Sequence, residues 1–198
     1  AFMLTDGALR MLVLLHFHTL GFSPDQLAYL FVLYEIAGVV TNLLAGWFAA
    51  RFGLTTTLYA GLSLQVLALL ALAQLDTSWG ITASVVFVML VQGVSGVAKD
   101  LTKMSSKSAV KTLAPADSGV LFQWVAVLTG SKNAVKGSGF LLGAMLLAVF
   151  GFVSSVLTMA GILFVILVGV LFYMPSGLPA GRKDAKFSEV FSGNRNIN

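Results

Sequence analysis

Six apolar stretches of about 20 residues, separated by short turns, dictate the solvent this chain folds in. At 1.5 Å per residue, each is long enough to cross a hydrocarbon core ~30 Å thick as a helix. Of its 198 residues, 58% are apolar and 10% charged, with a mean hydropathy of +0.92, where soluble domains carry roughly 45–50% apolar residues. The expected fold class is all-α integral membrane, a six-transmembrane-helix bundle over residues 1–174 followed by a linker over 175–198. The lipid bilayer is therefore the first partner. The absence of cysteine excludes disulfides and thiolate metal sites, and disfavours a soft thiophilic ion as cargo. No cofactor, metal or nucleic-acid partner is indicated.

Taken in order, the helices are expected at about 1–20, 26–50, 55–75, 81–113, 118–150 and 153–173. Ser23 reads as an N-cap with Pro24 at the first helical position. Arg51-Phe52-Gly53 closes the second helix, and Pro115-Ala116-Asp117 breaks the chain before the fifth. Ala1 to Leu4 already reads as membrane helix, so the chain is expected to start inside one, with an upstream piece missing. Asp6 and Arg10 make a poor signal peptide of this start. Basic residues follow the second helix (Arg51) and the fourth (Lys103, Lys107, Lys111) and recur in the tail (Arg182, Lys183, Lys186, Arg195). The other three connections contain none. By the positive-inside rule the basic ends, and both ends of the chain, are expected in the cytoplasm.

Charges inside the spans are the functional signal, because a lysine at the bilayer centre costs at least ~2.5 kcal/mol. Counting inward at 1.5 Å per residue puts Arg10 ~16 Å and Glu35 ~15 Å deep, as natural partners near the midplane. Lys136 falls at ~22 Å, with Lys132 and Lys99 level at ~28 Å, close to the basic end. Asp6 and Asp100 offset part of this charge, and the remainder suits a strongly anionic guest. On the fifth helix Thr129, Lys132, Asn133 and Lys136 recur at spacings of three and four, so one face offers a hydroxyl, an amide and two ammonium groups. Gly139 and Gly143 continue that face as a small-residue ridge that lets a neighbouring backbone approach.

The binding set expected from this map is Arg10, Lys132, Asn133 and Lys136, with Lys99 and Lys103 as an entry funnel. Glu35, and after it Asp6, would carry a coupling proton. Against this stand plainer readings: Lys132 and Lys136 snorkelling to headgroups, Lys99 to Lys111 as a solvated stripe, and Asp6 with Arg10 as an ion pair within one helix. His16 and His18 read as interfacial residues, and Asn42, Gln65 and Gln92 as interhelical hydrogen-bond glue.

The turn built on Gly46, Arg51 and Gly53, with Gln92-Gly93 on the fourth helix, resembles the amino-terminal half of a major facilitator superfamily transporter. Ala50, Leu54, Thr55 and Met89 stand where that pattern usually has charged residues. Three longer strings, Leu4 to Arg10, Gly96 to Ser105 and Thr129 to Gly137, resemble the ArsJ-type organoarsenical efflux permeases of bacteria. The resemblance implies a multi-pass protein of the bacterial inner membrane that confers arsenate resistance by exporting 1-arseno-3-phosphoglycerate through alternating access. It also implies a small anionic phosphorylated or arsenylated substrate, and a second half of six helices, or a second copy of this chain, across the site. Pentavalent arsenic in an oxyanion asks for cations and donors rather than thiolates, in keeping with the missing cysteines. Export or exchange of another organophosphate is the alternative carrier reading. A membrane-embedded enzyme and a channel are the remaining alternatives.

Overall fold

The computed structural model describes residues 2–76, 78–113 and 118–173. The expected break at 115–117 and the basic linker at 175–198 lie outside the described residues. The described chain is helical throughout: α1 (Phe2–Thr19), α2 (Pro24–Phe52), α3 (Leu54–Leu72), α4 (Ile81–Leu113) and α5 (Ser118–Tyr173). Four stretches are long and apolar enough to cross a membrane: Pro24–Leu44, Leu54–Leu72, Ile81–Ser106 and Thr129–Tyr173. α1, which carries Asp6, Arg10, His16 and His18 within its 18 residues, is not among them.

Local chemistry sets the element ends. The first turn of α2 is fixed by a reciprocal pair: Gln26 N–H donates to Ser23 Oγ at 3.4 Å, and Ser23 N–H donates to Gln26 Oε1 at 2.9 Å. Together they satisfy two of the N–H groups that a helix start leaves without partners. The two helices expected at 118–150 and 153–173 meet at Gly151, whose φ 73 and ψ −179 are not helical, so α5 consists of two helical segments joined at a kink. Without a Cβ, glycine reaches this left-handed conformation cheaply. The apolar run Thr129–Tyr173 holds 45 residues, about 67 Å if straight and some twice a hydrocarbon core. Gly151 is where its direction can change.

α1 packs along α5, α5 along α3, α3 along α4 and α4 along α2, while α1 meets α2, and α4 meets α5, only sparingly. The α1–α5 contact is backbone on backbone: a Cβ on Gly143 would stand 2.8 Å from Ala8 Cα, and one on Gly139 would stand 3.1 Å from Ala8 N. The ridge at Gly139 and Gly143 therefore admits its neighbour, and the neighbour is α1 at Gly7 and Ala8. One cluster of buried side chains, including Leu9, Leu12, Phe17, Leu69, Leu72, Val156, Met159 and Leu163, holds the bundle together. Tyr29, Ile36, Val39 and Leu43 on α2, and Leu141, Val149 and Val165 on α5, are exposed, as expected where the surroundings are apolar.

Candidate functional site: a charged cluster around Tyr34

The sparse α1–α2 and α4–α5 contacts leave α1, α2, α4 and α5 able to direct charges at one another, and each does. Tyr34 on α2 is fully buried, and its hydroxyl donates to Asp6 Oδ1 on α1 at 2.5 Å. Two cations lie against its ring: Arg10 Cζ from α1 and Lys99 Nζ from α4, each 4.2 Å from the centroid. A cation at that distance is attracted by the ring's quadrupole. Arg10 also pairs with Glu35. From α5, Lys136 Nζ approaches Asp6 Oδ2 to 3.5 Å.

A second knot lies beside the first. Asp100 Oδ1 receives Lys103 Nζ at 3.3 Å, and Asp100 Oδ2 lies 3.9 Å from Lys99 Nζ. α2 passes over this knot at Gly38, where a Cβ would stand 2.9 Å from Asp100 Oδ2 and 3.5 Å from Lys99 Nζ. Lys99 thus bridges the Tyr34 ring and Asp100. Cluster and knot hold four cations (Arg10, Lys99, Lys103, Lys136) and three carboxylates (Asp6, Glu35, Asp100), a net of one positive charge.

The pairings differ in how firmly they are held. The Glu35 side chain is 61% exposed and Arg10 24%, so that pair borders open space. Asp6 is 2% exposed at its side chain. Its Oδ2 is within ion-pair range of Lys136 yet receives no hydrogen bond, so the Lys136 ammonium is close without being locked in place. Asp6 does not pair with Arg10 within α1; Tyr34 and Lys136, from two other helices, take it instead.

Arg10, Glu35, Asp6, Lys99, Lys103 and Lys136 are linked through Tyr34 and Asp100. Lys132 lies on α5 one turn before Lys136 and is half-buried, and Asn133 is exposed. Of the expected hydrogen-bond glue, Gln65 accepts from Ser95 Oγ at 2.8 Å and ties α3 to α4. Gln92 is fully buried, with neither amide atom partnered among the described residues, so it does not act as glue there. Tyr34 was not read from the sequence. Its signal was present: a buried phenol in an apolar helix requires a partner for its O–H, and Tyr34 adjoins Glu35.

A family model described as Major Facilitator Superfamily matches residues 1–195. The chain belongs to the Major Facilitator Superfamily. No curated protein and no solved structure matches it. Membership makes the chain a multi-pass membrane transporter, and the charges gathered from α1, α2, α4 and α5 become the candidate site of a carrier of that superfamily.

Proposed function

We propose that this transporter exports a small dianionic or trianionic organic acid, in the first instance 1-arseno-3-phosphoglycerate, across the bacterial inner membrane, and so confers arsenate resistance. The chain would supply the amino-terminal half, with both its ends in the cytoplasm. A second set of six helices, from the same protein or from a second copy, would close the site.

The observation that carries this reading is the pairing of half-buried cations with carboxylates across four helices. Glu35 is largely exposed and Lys136 lacks a locked hydrogen bond to Asp6, so an incoming oxyanion can replace the carboxylate at both places. Arg10 offers the planar fork that suits a phosphate or arsenate group, and Lys136 offers a point charge. Asn133 supplies an amide donor from the same helix, while Lys132, Lys99 and Lys103 guide the substrate in. A carboxylate displaced into an apolar site is cheaper in its protonated form. A proton taken from the outer side by Glu35, and after it Asp6, would therefore release Arg10 and reset the carrier.

Arsenic accumulation in everted vesicles, with a glycolytic dehydrogenase generating the arsenate adduct in place, tests the substrate. Export that requires the dehydrogenase and arsenate together supports the reading. Transport of phosphoglycerate that is indifferent to arsenate would identify an organophosphate carrier instead.

A further inference from the structure

Ten residues along α1 from Asp6, about 15 Å at 1.5 Å per residue, the end of the bundle remote from the lysines of α4 holds a pocket of about 250 Å³. Its walls include His16, Phe17, Phe22, Trp79 and Phe152, with the carboxylate of Asp76. Phe17 stands edge-on to Phe22 at 5.0 Å and to Phe152 at 6.5 Å, and His16 stacks on Phe152 at 4.0 Å. Rings set at right angles wall the pocket from more than one side. Asp76 Oδ1 accepts the Ser78 N–H at 2.8 Å, which holds this exposed carboxyl below its ordinary range.

We propose that this pocket binds a small organic ammonium group, held by the Asp76 carboxylate and the aromatic walls. The lining contains one carboxylate and neither lysine nor arginine, which disfavours an anion. No group of three metal-ligating side chains gathers among the described residues, which disfavours a divalent metal. Aromatic walls beside one negative charge are the arrangement that recognises quaternary and primary ammonium groups, through ring quadrupole and ion pairing together. The ammonium could belong to a free amine or to the amine headgroup of a phospholipid, since the pocket lies at a helix-end level of the bundle. This inference is independent of the substrate proposed above.

The test uses the full protein, purified in detergent, with choline as the probe and saturation-transfer NMR as the readout. Saturable binding in the millimolar range is expected, displaced by tetramethylammonium but not by sodium at equal ionic strength. Asp76→Asn keeps an oxygen for the Ser78 N–H and removes the charge, and Trp79→Leu removes one wall. Each is expected to weaken binding about tenfold with the melting temperature unchanged. Absence of saturable transfer, or wild-type affinity in both variants, overturns the proposal. In nanodiscs, choline binding that is weaker with phosphatidylethanolamine than with phosphatidylglycerol assigns the pocket to the lipid amine. Equal binding assigns it to a free amine.

Discussion

Removing Lys136 should damage the protein more than removing its partner does. Asp6 is 2% exposed at its side chain and Lys136 is 28% exposed, with 3.5 Å between the charges. At an effective dielectric near 20, that separation corresponds to about 5 kcal/mol of attraction, and partial solvent access to Lys136 brings the net value to about 3 kcal/mol. Lys136→Gln leaves a buried carboxylate supported by the Tyr34 hydroxyl alone, and the expected loss is that ~3 kcal/mol. Asp6→Asn leaves an ammonium on a flexible stem that reaches water, at about 1 kcal/mol. The double variant, neutral at both positions, should also lose only about 1 kcal/mol, so the cycle gives a coupling near 3 kcal/mol. For a domain of this size that is a melting-temperature deficit of about 6–12 °C for Lys136→Gln, largely recovered in the double variant. Fluorescence-detected melting of the full transporter in one detergent, at one scan rate, reads it. Additive losses would show that Asp6 and Lys136 do not act as a pair.

The other expectations are shorter. Tyr34→Phe keeps the ring against Arg10 and Lys99 but removes the donor to Asp6, and should cost about 1 kcal/mol in melting measurements; Tyr34→Leu, which also removes the quadrupole, should cost more. Gly143→Leu should prevent the α1–α5 approach and lower the yield of folded protein. Gly130→Ala, with nothing within 4 Å of the added carbon, should be neutral or raise stability by about 0.5 kcal/mol. Gly151→Ala imposes a Cβ on a residue at φ 73 and should destabilise by about 1–2 kcal/mol on the same melting assay.

Periodicity and length made the apolar helices legible, and the Ser23 cap with its following proline was readable residue by residue, though not the reciprocal bond from Gln26. The Gly139 and Gly143 ridge was readable too, because small residues three or four apart have one common use in a membrane. The pairing of charges was harder. Depth counts put Arg10 level with Glu35, and the two do meet, but depth says nothing about rotation around a helix axis. That is why Asp6, four residues from Arg10 on the same helix, turns instead to Tyr34 and Lys136. Asp100 shows the same limit: its charge is expected to offset part of the lysines', and only the fold shows that it holds both Lys99 and Lys103 beneath Gly38. The hub itself, Tyr34, carries no net charge, so the pattern of charges does not single it out.

In the proposed site Arg10 and Lys136 together grip the substrate anion. The most direct test of this grip is arsenic accumulation in everted vesicles by the full transporter and by Arg10→Gln and Lys136→Gln variants matched for folded protein in the membrane. Each variant is expected to lose at least about tenfold in transport, while Gly130→Ala is expected to transport as wild type. Undiminished accumulation by both charge variants would contradict it.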